Sequence, residues 1–266
     1  MLLKHNTYWS IRYQNQMKKT IFSAIFLSVS LFITAQDISL IVNENDNKEF
    51  TAAAVKQGDS SENNIISNIT YTITDIDGNT YKAVKIGAQL WMAENLRTTR
   101  FNDGTDIPLA SDFKNWSSLA SPGYCWYSNN TEKYKTSYGA LYNWYTVKTD
   151  KLCPAGWHVP SAEEWNTLVT NCGEKSVGGE MKAAGTKYWM SPNTGATNSS
   201  GFTALPGGSR GSLGSFLDEG LRGYWWSSTE SDQNRAYYNS LGYSSNNATG
   251  NSDNKKGGLS VRCVKN

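Results

Sequence analysis

The chain has 266 residues, with 25 Lys and Arg against 23 Asp and Glu and a formal charge of +2. It carries no basic run, so it lacks the electrostatic footprint for nucleic acid and for an anionic membrane surface, and both partners are excluded. Gly, Ser, Asn and aromatic residues are frequent and Leu and Ile sparse, which disfavours a helical bundle.

Met17-Lys18-Lys19-Thr20 is a short positive head, Ile21 to Ile33 an apolar stretch, and Thr34-Ala35-Gln36 offers a small residue for cleavage. That is the build of a bacterial secretory signal peptide, whose apolar region is roughly a dozen residues long. A membrane anchor needs about 18–20 apolar residues, and this run is shorter and broken by Ser23, Ser28 and Ser30. The reading places the start of translation at Met17, cleavage after Ala35 and a mature start at Gln36. The product is then exported (periplasmic, outer surface or secreted), with no membrane insertion after cleavage. No Cys lies near the cleavage point to carry a lipid. Removing residues 1–35 takes away Lys4, Arg12, Lys18 and Lys19 and no acid, so 25 basic residues become 21 against 23 acidic ones and the formal charge becomes −2.

Residues 36–66 read as a polar lead-in with the linker composition Gly58-Asp59-Ser60-Ser61-Glu62-Asn63-Asn64 and room for one short helix across Phe50–Lys56. The domain proper is expected over 67–266. Thr70-Tyr71-Thr72-Ile73-Thr74 and Tyr81 to Ile86 alternate around Asp77-Gly78-Asn79, a strong hairpin signal. A second turn follows at Asn102-Asp103-Gly104-Thr105, residues 110–122 read as loop, and Tyr124-Cys125-Trp126-Tyr127 as a short strand. Gly139 to Tyr145 reads as a helical turn. After Pro160, Ser161 and Glu164 form a capping box, Trp165, Leu168, Val169 and Cys172 share one helical face, and Gly173 closes the helix. A shorter helix is predicted over Gly179–Ala184, then strands at 201–208, 223–228, 236–238 and 259–264. Early helices followed by a strand series argue for an α+β fold. The eight Trp from Trp116 to Trp226 are read as core.

Cys125, Cys153, Cys172 and Cys263 are the only cysteines. In an exported chain disulfides are the first reading, and spacings of 28, 19 and 91 residues contain no close pair of the kind zinc sites use. Three pairings are open on this count alone.

A family resemblance rests on seven segments in order: Asp75 to Tyr81, Ile86 to Leu96, Tyr138 to Trp144, Cys153 to Pro160, Ser200-Gly201-Phe202, Gly223 to Glu230, and Ser260 to Val264. Together they resemble the Fibrobacter succinogenes major paralogous domain, a family of exported bacterial proteins, over residues 70–266. That resemblance implies no assigned activity. More remotely, Gly156 to Trp165 is similar to the helix start of formylglycine-generating enzyme-like domains, supported by Gly207-Gly208-Ser209 and Arg262-Cys263. It implies a C-type lectin-like fold of mostly antiparallel short strands with one or two helices. The paired reactive cysteines that the oxidase chemistry relies on are not matched, since only Cys263 lies near the C-terminus. Cys153 and Cys263 flank the two most family-like segments, and the resemblance favours their disulfide, leaving Cys125–Cys172 as the residual pair.

His158 is the only histidine after Ala35 and is read as structural; one histidine also disfavours zinc or iron catalysis. Asp75-x-Asp77-Gly78-Asn79 invites a calcium reading, but its Gly is fourth where an EF-type loop needs it sixth. The tripeptides of calcium-dependent sugar-binding lectins are missing, and no metal, cofactor or catalytic residue is assigned. Glu163, Glu164, Asp218, Glu219 and Glu230 are the carboxylates from which a glycosidase pair would have to come. The stretch Ser231–Lys256 is polar, so Tyr237, Tyr238 and Tyr243 are read as ligand residues on loops between Gly207 and Lys256, together with Arg210 and Arg235. The expected function is an exported, non-catalytic binding module that recognises glycan or a surface protein. The alternatives are an enzyme acting on glycans or proteins and a structural, adhesin-like surface component. On this reading Tyr238→Ala or Tyr243→Ala weakens binding and leaves the melting temperature nearly unchanged.

Overall fold

The computed structural model describes residues 39–44, 48–53, 71–173 and 177–266, which fall in one compact unit. The export signal read in residues 1–35 lies outside them, as does much of the lead-in. Where the lead-in is described, it is strand and not helix. β1 (Ser39–Glu44) and β2 (Lys48–Ala53) pair antiparallel, with Val42 opposite Phe50. Their Ile, Val, Phe and Thr residues favour a pleated strand over a helix.

β3 (Tyr71–Thr74) and β4 (Thr80–Ile86) form the predicted hairpin. Gly78 takes the left-handed conformation at its tip, with φ +79. The Asp75 carboxylate accepts from the amides of Asp77 and Asn79, from Asn79 Nδ2 and from the Tyr81 hydroxyl. The Asp77 carboxylate accepts from the Thr99 amide at 2.6 Å, the Thr99 hydroxyl at 2.9 Å and Arg100 Nε at 2.5 Å. Protein donors therefore hold both acids of the turn. Burial pushes the Asp77 carboxyl up, but the Thr99 and Arg100 donors outweigh it and keep it below its ordinary range. A carboxylate shifted this way stabilises above its unfolded pKa of about 4 and loses that contribution as pH falls through the lower folded value. The urea midpoint is expected to fall on acidification below about pH 4, and to fall less in Asp77→Asn. An equal fall in the variant would show that Asp77 is not linked to folding.

Along the chain come β5 (Gln89–Met92), α1 (Phe113–Ser118), β6 (Tyr124–Cys125), α2 (Thr131–Tyr138), β7 (Leu141–Tyr142), α3 (Trp144–Val147) and β8 (Trp157–His158). Next are α4 (Ala162–Asn171), α5 (Val177–Met181), β9 (Gly207–Arg210) and β10 (Phe216–Glu219). The long strands β11 (Arg222–Glu230), β12 (Arg235–Gly242) and β13 (Ala248–Asn254) precede the short β14 (Val264–Lys265). α1 falls in the stretch read as loop and α2 was not expected. Asp112 and Asn130 cap them, each side chain accepting from first-turn amides. The capping box of α4 is present as expected, whereas α5 begins earlier than the sequence indicated.

One five-stranded sheet has the order β3-β4-β5-β14-β8 and a second the order β10-β9-β11-β12-β13. Every pairing within them is antiparallel except β9–β11, which meet in parallel at Gly208 and Gly223. The fold is thus mixed α+β, mostly antiparallel, with few helices. The segment Gly258–Ser260 stitches the parts together by bridging Arg210, Tyr142 and Trp225.

All eight tryptophans from Trp116 to Trp226 are buried, and Trp91 with them. At the centre, Asn95 Oδ1 accepts from Trp225 Nε1 and Arg262 Nε, both at 2.9 Å. Its Nδ2 donates to the Tyr138 carbonyl at 2.8 Å and to Ser260 Oγ at 3.2 Å. Cys153 and Cys263 form the favoured disulfide. The residual pair Cys125–Cys172 does not form, and both thiols are free and buried. They sit in different apolar clusters, Cys125 with Trp116, Tyr127 and Tyr134, and Cys172 with Trp165, Leu168 and Val177. Burial pushes their thiols up to about 12 and about 11, which keeps them protonated and unreactive.

Candidate functional site

The β9–β10 hairpin bends around two left-handed residues. Gly208 has φ +65, and a Cβ there would stand 2.4 Å from the Leu217 carbonyl oxygen, so the position demands glycine. Asp218 has φ +66, a conformation that costs a non-glycine residue energy and that clusters at functional sites. It also falls between the paired positions Leu217↔Ser209 and Glu219↔Gly207. The turn closes when the Leu221 amide bonds the Asp218 carbonyl at 3.0 Å.

Two groups of tyrosines flank this turn. Tyr224 and Tyr238, on β11 and β12, lie on one sheet face, with ring centroids 5.7 Å apart and both rings half-buried. The Tyr224 hydroxyl donates to Asp218 Oδ2 at 2.5 Å. The neighbouring Glu219 carboxylate pairs with Lys133 of α2 at 3.3 Å. Beside it runs a row of rings, Phe216, Tyr127, Tyr134, Tyr138 and Tyr188, with successive centroids 5.1, 5.1, 5.8 and 6.0 Å apart. Burial first, then the hydrogen bond and charge of Asp218, raise the Tyr224 hydroxyl. Burial followed by the Glu219 charge does the same to Tyr138. At neutral pH Tyr224 and Tyr138, both half-buried, are therefore protonated phenols, each offering part of an apolar face and a hydroxyl.

The residues expected to bind ligand do not form one surface. Residues 235–254 are not loop but the β12–β13 hairpin, and strand alternation sends Tyr237 and Tyr238 to opposite faces. Tyr237 is 42% exposed. Tyr238 leans on the cluster of Trp226, and Tyr243 on that of Trp165 and Trp225, so both carry packing that the polar sequence around them conceals. Arg235 is exposed, its guanidinium on the Ser252 carbonyl. Arg210 is only 1% exposed. It donates to the carbonyls of Ala110, Ser111, Asp112 and Gly214 and lies over the Trp116 and Phe216 rings. Its role is to hold the 110–112 segment, and the ligand assignment for it is withdrawn. Of the expected set, Tyr238 belongs to the surface at Asp218. Tyr224, Tyr138 and Tyr188 join it unforeseen, because they are scattered in sequence, while Tyr127 and Tyr134 back it from the buried core.

His158 has both ring nitrogens engaged, Nε2 with Glu164 Oε1 at 2.8 Å and Nδ1 with Asn266 Oδ1 at 2.6 Å. Burial pushes Glu164 up, but the Ser161 amide and His158 hold it below its ordinary range. The pair therefore serves the start of α4. Glu230 is paired with the buried Lys255. Among the described residues no group of three His, Cys, Asp or Glu is placed to hold a metal ion, and no helix is long and apolar enough to cross a membrane.

The family model described as the Fibrobacter succinogenes major domain matches residues 84–265. Neither the curated proteins nor the solved structures give a significant match.

Proposed function

This chain belongs to the Fibrobacter succinogenes major domain family, and from that premise we propose that it is an exported, non-catalytic binding module that recognises glycan or a surface protein through the Asp218 turn. The observation that carries the reading is Tyr224, fixed by Asp218 and set beside Tyr238 on a half-exposed sheet face. Ring faces can stack on the C–H faces of sugars while phenols and carboxylates bond their hydroxyls, and they do so at little cost in side-chain entropy. Glycan is the leading ligand class. We further propose that the sheets are arranged in the C-type lectin-like manner, a reading supported by the capped α4 and by the return of β14 between β5 and β8.

The test is Asp218→Gly, assayed on a glycan and polysaccharide array with the chain from Gln36 onward. Glycine fits the left-handed backbone without strain, so the melting temperature should hold or rise. Loss of the carboxylate should weaken binding about tenfold, the scale of one charge-assisted hydrogen bond. Unchanged binding in both Asp218→Gly and Tyr224→Ala would sink the proposal. Hits confined to arrayed surface proteins would move it to the protein ligand.

A further inference from the structure

A groove of about 280 Å³ opens between α4, α5 and the β12–β13 connection. It is lined by Val169, Val177, Asn246, Asn247, Ala248 and Thr249 and shares no residue with the Asp218 surface.

Its inner wall is held in place by close packing. The Gly178 amide donates to the Asn246 carbonyl at 2.8 Å. A Cβ on Gly178, Gly179 or Gly195 would stand 2.7, 2.1 or 2.0 Å from the Asn246 carbonyl, the Gly195 carbonyl or Asn246 Oδ1 respectively. Lys182, wholly buried, donates from Nζ to the carbonyls of Thr194, Gly242 and Ser245, and so clamps the connection to the end of α5. A wall packed this tightly is preorganised, which lowers the entropic cost of binding. Within it Asn246 Oδ1 is buried and accepts no hydrogen bond.

The lining fixes the ligand class. Two valines and an alanine give apolar contacts, the Asn247 carboxamide and the Thr249 hydroxyl give hydrogen bonds, the Asn246 carboxamide is turned into the wall against Gly179 and Gly195, and none of these six residues is charged. An ionised ligand entering here would lose hydration and meet no opposite charge among the described lining residues. The volume of about 280 Å³ lies just below the usual range for ligand pockets, about 300–1,000 Å³, which suits one ring and not a chain of them. We propose that this groove is a second binding site, which takes a single neutral hydroxylated ring such as a hexose unit or a cyclic polyol. The site stands whether or not the Asp218 surface binds glycan.

The experiment is an NMR titration of the ¹⁵N-labelled chain with glucose, galactose, N-acetylglucosamine and myo-inositol, with glucuronate as the charged control. At least one neutral probe should give saturable millimolar shifts at the amides of Val169, Val177 and Asn246 to Thr249, and glucuronate should give none. Thr249→Trp places a large ring in the groove from an exposed edge-strand position and should weaken binding at least about tenfold. Asn247→Ala should weaken it severalfold, and Asp218→Gly should leave it unchanged, which separates this site from the tyrosine surface. Absence of shifts with every neutral probe, shifts that persist in Thr249→Trp, or equal shifts with glucuronate would each overturn the proposal.

Discussion

Replacing Asn95 by Ala is expected to lower the unfolding free energy by about 4 kcal/mol, because several buried polar groups lose their partner at once and each costs about 1–3 kcal/mol unpaired. Asn95 is 5% exposed and uses all of its hydrogen-bonding capacity on Trp225, Arg262, Tyr138 and Ser260. Arg262 is the most exposed to the loss. It is fully buried, has no carboxylate in hydrogen-bond contact among the described residues, and otherwise relies on the Phe202 and Thr203 carbonyls and on the Phe202 and Trp225 rings. Burial pulls its guanidinium down to about 9, offset in part by the Glu94 charge. Urea unfolding followed by tryptophan fluorescence should show a large drop in midpoint with an unchanged slope. Asn95→Asp should fall between, since it keeps the acceptor for Trp225 and Arg262 but turns an oxygen toward the Tyr138 carbonyl. A loss below about 1 kcal/mol in the Ala variant would mean that water replaces the network.

The second large effect concerns the disulfide. Cys153 and Cys263 are 110 residues apart in sequence, and closing a loop of about 100 residues contributes about 4.7 kcal/mol on the chain-entropy account. Cys153→Ser with Cys263→Ser should cost a similar amount, read as a fall in urea midpoint. Thiol titration of the unfolded, unreduced chain should find two reactive groups, Cys125 and Cys172. None would restore the second disulfide, and four would remove the first.

The local rules that were legible in the sequence are those with a short-range cause. The β3–β4 hairpin follows from Asp77-Gly78-Asn79, and α4 from Ser161, Glu164 and an apolar stripe, because turn and cap chemistry act within a few residues. α1 and α2 have the same kind of signal in Asp112 and Asn130, but neither capped segment carries an apolar periodicity to mark it as helix. β13 was hidden for a different reason. Ala248 to Asn254 has almost no strand propensity, and an edge strand needs only backbone pairing on one side, here with β12. The surface at Asp218 was illegible because its tyrosines come from α2, β11, β12 and the segment before Trp189, and only the sheet order brings them to one turn. Arg210 was misread for the converse reason, since a charged residue in a Gly-rich stretch looks exposed until the carbonyls around it are seen.

The placement of β14 bears on how the domain comes to be folded. It lies inside the first sheet, between β5 and β8, and is tied by disulfide to the approach to β8. During synthesis β3, β4 and β5 emerge long before it, and β5 then has an open edge where β14 will lie. Contacts of such long sequence separation form late and slowly. A nascent chain of this topology therefore leaves its first sheet incomplete, with β5 and β8 unjoined, until β14 is made. A chain cut before Leu259 would keep its hairpins and α4 but lose β14 from the first sheet, the partner of Cys153 and the bridges of Leu259 and Ser260 to Tyr142 and Trp225.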